Sequence, residues 1–323
     1  MNFLSFLEAQ DKTDIWFQKL GIHLKNVGSG ISVFGYRIAF YGIVIAAGMI
    51  IGYMMAEWTA KRTKQNPENY LDFAIIAVIV SVLCARLYYV IFNWKEYKGD
   101  WLKILDIREG GLAIYGGVIG GIVTAILFAK KRKLNKLLFM DTAIIGLITG
   151  QIIGRWGNFF NREAFGCYSN GLFSMQVDVR EVSPYFNSAL NNLDHVKDVY
   201  ANQPRALERI LEIRNNPVVI DGAKYISVQP TFLYESLWNL VLLIIMLVYT
   251  KHKKFDGEIL LLYLFGYGLG RLWIEGLRSD QLFLFNSPIA VSLLLSGLLV
   301  IFSVVMYVIL YRRHQKKTHP VTS

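Results

Sequence analysis

The sequence predicts an all-α membrane protein of about seven transmembrane helices with a small extracytoplasmic head, the N-terminus outside and the C-terminus cytoplasmic. Three observations carry this expectation: apolar residues gathered in long blocks, basic clusters confined to alternate loops, and one long polar segment between two blocks. The chain has 323 residues, 54% of them hydrophobic. A helix needs about 17 or more mostly apolar residues to cross roughly 30 Å of hydrocarbon. Seven blocks reach that length, near 38–56, 71–93, 112–129, 137–153, 231–250, 257–275 and 288–310, the fourth and sixth being less uniformly apolar. Residues 1–30 contain Glu8, Asp11 and Asp14 and lack a basic region followed by an apolar core, so the first block reads as a retained span.

The basic clusters are Lys61-Arg62-Thr63-Lys64, Lys130-Lys131-Arg132-Lys133, Lys251-His252-Lys253-Lys254 and Arg312-Arg313 with Lys316-Lys317. They fall in alternate loops and the C-terminus, which the positive-inside rule places in the cytoplasm. Orientation and anionic headgroups therefore account for the net charge of +10, and no nucleic acid is implied. The expected organisation is an extracytoplasmic segment at 1–37, four helices within 38–160, a head at 161–229, three helices within 230–310 and a basic tail at 311–323. The head segment holds Pro184, Pro204, Pro217 and the charged stretch PRALERILEIR, and is too long for a plain connector. Small residues recur at packing intervals in Gly116-Gly117 with Gly120-Gly121, in Gly146, Gly150 and Gly154, and in Gly266 and Gly270, which marks closely packed helices. The two cysteines, Cys84 within the second span and Cys167 in an outer loop, are placed too differently to form a disulfide.

Given this topology, several polar groups reach one depth near the outer leaflet. Arg155, Asn158, Arg271 and Glu275 fall at the outer ends of spans four and six. Tyr41, Tyr115 and the stretch Gln229-Pro230…Tyr234-Glu235 open spans one, three and five, and Arg86 lies in the outer half of span two. Ionisable residues inside a membrane are costly and usually face a bundle interior or a pathway. For any one of them a snorkelling arginine or an ion pair suffices as explanation; the convergence of the set points to function. Arg271 and Glu275 are spaced i,i+4, with Arg278 a further turn along, so they share a face. Guanidiniums at lipid depth suit a phosphate, held bidentately, while Asn158 and the tyrosines can donate to ester or glycerol oxygens. A phospholipid headgroup fits. The chain has no GxxxxGK[ST] loop, no HExxH and no Cys/His cluster at metal spacing, so neither a nucleotide, a zinc ion nor another cofactor is expected.

The stretch GRWGNFFNREAFG at 154–166 resembles the signature of the prolipoprotein diacylglyceryl transferase family, and four further stretches resemble family motifs in the same order: FGYRIAFYGIVI, EGGLAIYGGVIGG, QPTFLYES and GYGLGRLWIEGLRSD. The resemblance covers nearly all spans and implies a multi-pass enzyme of the bacterial cell membrane with its active site facing the outer leaflet. Its implied reaction moves the diacylglyceryl group of phosphatidylglycerol to the lipobox cysteine of a prolipoprotein signal peptide, forming a thioether and releasing glycerol phosphate. By position, Arg155, Asn158, Glu163 and Gly166 match the signature's important residues, Tyr41 matches the first-span tyrosine, and Arg271, Glu275 and Arg278 match the sixth-span group. Asp141 matches a family aspartate at the inner end of its helix, where a structural role is expected.

Two positions depart from the pattern. Tyr115 and Gln229 stand where other members have histidine. Histidine titrates near neutrality and can serve as a base, whereas an unperturbed tyrosine titrates near 10. An electrostatic mechanism is the expectation instead: Arg155 and Arg271 grip the phosphate, Glu275 orients Arg271 or accepts the proton, and Tyr115 donates a hydrogen bond. Tyr41, Asn158, Glu163, Gly166, Arg278 and Gln229 are expected to bind substrate. A phospholipid transporter would instead need polar groups through to the cytoplasmic half, where only Asp141 and Glu57 stand out. A membrane scaffold or receptor would not need the arginines.

Overall fold

In the computed structural model the apolar blocks are helices, because backbone N–H and C=O groups in hydrocarbon find partners only within the segment itself. The structure describes residues 7–10, 12–99, 101–106, 110–182, 204–279 and 290–318, with 190, 192, 194, 197 and 281 between them. The helices are α1 (Phe40–Arg62), α2 (Glu68–Phe92), the short α3 (Trp94–Tyr97) and α4 (Trp101–Leu105), α5 (Ile114–Lys131), α6 (Lys136–Asn161), α7 (Pro204–Asn215), α8 (Thr231–Tyr249), α9 (Glu258–Glu275) and α10 (Val291–Thr318). Their ends carry local signals. Asn135 Oδ1 accepts the amides of Leu137 and Leu138 at 3.2 and 3.3 Å and caps α6. Gly257, at φ 99°, precedes α9. Six of these helices are long and apolar enough to cross a membrane. The seventh expected block is α9, whose 18 residues include Glu258, Arg271 and Glu275.

The chain divides into two compact units, Gly52–Gly146, and Met1–Ile51 with Leu147–Ser323. In the first, α2 packs along α5, where Gly116 and Gly120 are buried, and Ala56, Tyr70, Phe128 and Phe139 form a core. Arg86, which the sequence places in a polar layer, spends its guanidinium inside this unit. It donates to the carbonyls of Lys103 (2.7 Å), Ile104 (2.8 Å), Gly110 (2.9 Å) and Gly111 (3.0 Å), tying the segment ahead of α5 to α2. A buried arginine satisfied by four carbonyls is a structural staple. Asp141 is buried next to Thr142, whose hydroxyl accepts from Gln65 at 2.7 Å.

The second unit corrects the all-α expectation. The chain is mostly helical, but among the described residues eight strands also form: β1 (Leu7–Gln10), β2 (Thr13–Phe17), β3 (Ile22–Val27), β4 (Gly30–Val33), β5 (Tyr36–Ala39), β6 (Met175–Asp178), β7 (Val218–Ile220) and β8 (Ala223–Val228). They make a three-stranded sheet, β1-β4-β5, and a five-stranded sheet, β3-β2-β6-β8-β7, all pairs antiparallel. Strands from 13–27 and from 175–228 thus share one sheet, through Trp16 opposite Gln176. Ile15, Phe17, Val177, Ile226 and Val228 meet the apolar face of α7, Ala206, Ile210 and Ile213. Phe159, Phe165 and Phe232 enter the same core, so it also grips the C-terminal end of α6 and the start of α8. Burying each such side chain is worth about 1.5–3 kcal/mol. The fourth block runs past its expected end near 153, and GRWGNFFN is helical up to Asn161. Pro184 lies outside the described residues.

Candidate functional site

On α6, Gln151, Arg155 and Asn158 follow at i, i+4 and i+7 and share one face. Arg155 Nη2 lies 2.9 Å from Oε1 of Glu235, on the first turns of α8. Arg271 Nη1, from α9, reaches the same oxygen at 2.7 Å. Arg271 Nη2 is 2.7 Å from Oε2 of Glu275, and Arg278 Nε is 3.9 Å from that oxygen. Three guanidiniums and two carboxylates therefore form one chain, Arg155, Glu235, Arg271, Glu275, Arg278. The side chains of Glu235 and Glu275 are 5% and 3% exposed, against 24% for Arg155 and 15% for Arg271. Buried charge is costly unless paired, and here the carboxylates form the sheltered side while the arginines form the open one. With one cation in excess, the cluster suits an anion arriving from the open side.

Neighbouring groups hold this geometry. Arg155 Nη1 donates to Asn158 Oδ1 at a long 3.4 Å, and Asn158 Nδ2 and Asn161 Nδ2 both donate to Glu163 Oε1 at 3.2 Å. The chain leaves α6 through Arg162 at φ 51°, which lets the Glu163 amide donate back to Asn158 O at 3.1 Å. Tyr41 lies against Gly157: a Cβ there would sit 2.8 Å from the tyrosine ring. Below Arg155, Gln151 Nε2 donates to Tyr263 Oη at 2.9 Å.

Gly166 lies where three segments converge. Its amide donates to Gln229 O at 2.8 Å, it bridges Arg278, and a Cβ would come within 2.5 Å of Gln229 Cβ. Cys167 N–H donates to Leu277 O at 2.7 Å. The Gln229 side chain accepts from the Tyr234 hydroxyl at 2.7 Å. Arg209 of α7 donates to Arg278 O (2.7 Å) and Gly276 O (2.6 Å), fixing the turn that carries Arg278. Burial pushes the Cys167 thiol up, Arg209 opposing it only in part, so this cysteine is a poor nucleophile.

Of the residues expected from sequence, Arg155, Asn158, Glu163, Arg271, Glu275 and Arg278 form connected contacts, with Tyr41, Gly166 and Gln229 packed on the same elements. Tyr115 is the second residue of α5, in the Gly52–Gly146 unit. The sequence places Glu235 at the same depth without assigning it a role, although it is the single charged residue of α8, TFLYESLWNLVLLIIMLVY. That isolation was the available signal. Arg209 gave none, since it sits in a helix rich in charge. Among the described residues no group of histidine, cysteine or acidic side chains could hold a metal ion.

A family profile described as prolipoprotein diacylglyceryl transferase matches residues 30–309. The chain is 35% identical over 284 residues to a Clostridioides difficile (strain 630) protein named phosphatidylglycerol–prolipoprotein diacylglyceryl transferase, covering 88% of this chain and 95% of that one. It is 42% identical over 252 residues to a protein of the same name from Clostridium novyi (strain NT), covering 78% and 84%. A Bacillus mycoides (strain KBAB4) protein so named is 36% identical over 274 residues, covering 85% and 88%.

Proposed function

The chain belongs to the prolipoprotein diacylglyceryl transferase family, and from that premise we propose how it moves diacylglyceryl from phosphatidylglycerol to a prolipoprotein. The observation that carries the proposal is the convergence of Arg155 and Arg271 on one carboxylate oxygen of Glu235. The two guanidiniums hold the lipid phosphate. The lipobox thiol attacks the glyceryl carbon, the S–C bond forms as the C–O bond to phosphate breaks, and the electron pair leaves with glycerol phosphate. The thiol proton ends on the departing phosphate. Charge grows on that phosphate in the transition state, and oriented guanidiniums in a water-poor site stabilise it most there.

Glu235 and Glu275 are positioning residues in this reading, each holding one terminal nitrogen of the Arg271 guanidinium. The Arg155 to Asn158 bond is long at 3.4 Å, and its N–H is the one a phosphate oxygen takes over. Asn158 then turns to the glycerol oxygens, and Glu163 keeps it in place. Tyr41, Gln229 and Arg278 border the lipid, Gly166 allows the close backbone approach behind them, and Tyr115 donates a hydrogen bond.

The proposed setting is the bacterial plasma membrane, with seven spans including α9, the N-terminus outside and the C-terminus cytoplasmic. The five-stranded sheet with α7 serves as the extracytoplasmic head, and the site opens to the outer leaflet. The basic ends of α1, α5 and α10 support this orientation. Purified protein given labelled phosphatidylglycerol and a lipobox peptide should yield thioether-linked peptide and glycerol phosphate in equal amounts. Arg155→Gln and Arg271→Gln should each lower kcat by about 100-fold to 1,000-fold, the range for removing one donor from a charge-stabilising site. Undiminished turnover in either variant overturns the assignment.

A further inference from the structure

The hairpin β4-β5 has two unlike faces. Val33 pairs with Tyr36 and Ile31 with Ile38, while Ser32 pairs with Arg37 and Gly30 with Ala39. Residues directly opposite share a face, and neighbours along a strand alternate. One face therefore carries Ile31, Val33, Tyr36 and Ile38. The other carries Ser32 and Arg37 with two small residues, and Arg37 Nη2 donates to Ser29 Oγ at 2.9 Å. Tyr36 is 80% exposed and Phe34, in the turn, 75%; Ile38 is exposed as well. The turn is unusual in its residue choice. Phe34 and Gly35 both have positive φ, 50° and 81°, a two-residue turn that normally takes asparagine or glycine first. A bulky aromatic residue held there points to a use for its ring.

The hairpin also has a fixed place. β5 is an edge strand that passes into α1 with no residue between, and the Phe40 amide donates to Ser29 O at 2.9 Å. α1 is one of the helices apolar enough to cross a membrane. At about 3.3 Å per strand residue, Phe34 is within roughly 20 Å of the start of that helix.

We infer that this hairpin lies flat in the lipid headgroup layer of the leaflet at which α1 begins, its Ile31, Val33, Phe34, Tyr36 and Ile38 face seated on the acyl-chain boundary. The partner is the bilayer itself, because the apolar face continues directly from a membrane helix and its opposite face is polar. Phenylalanine and tyrosine at that depth act as an aromatic belt, and a sheet with one apolar face behaves as amphipathic interfacial helices do. The inference concerns where residues 30–39 sit and does not depend on which residues carry out transfer.

The test uses full-length protein reconstituted in vesicles of phosphatidylglycerol and phosphatidylcholine. In a Cys84→Ala, Cys167→Ala background, Phe34→Cys, Tyr36→Cys and Ser32→Cys are each labelled with a bimane fluorophore. Lipids brominated high on the acyl chain should quench the labels at 34 and 36 at least threefold more than the label at 32, and aqueous iodide should show the reverse order. Equal quenching at all three positions, or preferential iodide quenching at 34 and 36, overturns the inference. The unsubstituted protein supplies a second measurement that no variant's folding can spoil: hydroxyl-radical oxidation of Phe34 and Tyr36 should be at least threefold lower in detergent-free nanodiscs than in a short-chain detergent that thins the headgroup layer, and equal oxidation in the two overturns the inference. Protection that appears only after a lipobox peptide is added would make the face a peptide-docking surface and overturn the lipid assignment.

Discussion

Glu235 is a carboxylate 5% exposed between two guanidiniums, and its removal has two separable effects. In Glu235→Ala the arginines lose a buried counter-ion, which costs roughly 3–5 kcal/mol of stability, visible as a lower Tm in detergent. Glu235→Gln keeps the shape and loses the charge. The arginines then lack the bond that aims them, so kcat should fall about 10-fold to 100-fold, the range for groups that orient a charged partner. KM for phosphatidylglycerol should stay level or fall, because a competing anion has gone. A rise in KM with unchanged kcat would show that Glu235 contacts the lipid directly. For Tyr115, a hydrogen-bond role predicts that Tyr115→Phe lowers kcat about tenfold, the worth of one neutral bond. Complete loss of transfer with lipid binding intact would assign it a proton transfer instead. The arginines, Asn158 and Glu275 were legible because charged and amide groups stand out in apolar helices. Glu235 stood out equally but lacked a partner on its own helix, and its two partners come from α6 and α9, far away in sequence.

At the level of elements, the C-terminal half of α6 is where most constraints meet. Its residues face Tyr41 through Gly157, the core between the five-stranded sheet and α7 through Phe159, and the arginine cluster through Arg155. Gly157→Ala puts a methyl into the Tyr41 ring. Overpacking of this kind costs typically about 1–3 kcal/mol, and it should also reduce transfer by moving Tyr41. Adding Tyr41→Leu should restore the stability and leave transfer low, measured by Tm and by thioether yield; recovery of both would remove Tyr41 from the site. Helices were readable from sequence because hydrocarbon demands long unbroken apolar runs, and their blocks agree with the helices observed to within a turn or two at most ends. The strands were not. Each has three to six residues, and their pairing joins segments far apart in the chain, such as Trp16 with Gln176. Short alternating runs carry too little local pattern to be told from loop.

The molecule as a whole combines apolar helices with a small β layer, and its pH response should come from the β layer. Burial alone would raise the Asp178 carboxyl, but hydrogen bonds from the Arg180 side chain and amide, with the nearby Arg162 charge, hold it below the usual 3.8. A carboxylate whose folded pKa is depressed contributes stability that is complete above the unfolded value and lost as pH falls through the folded one. Thermal stability should therefore be flat from neutrality down to about pH 4 and decline below it, with a smaller decline in Asp178→Asn, as followed by Tm against pH. An identical decline in that variant would place the acid sensitivity elsewhere. The shared oxygen of Glu235 has one more consequence for how the enzyme rests between turnovers. An internal anion lies between the two cations, so they are kept parked side by side instead of repelling one another outward. On the proposed mechanism the charged lipid then meets two cations already aligned, takes the Arg155 N–H now shared with Asn158, and leaves the alignment intact when the freed headgroup departs.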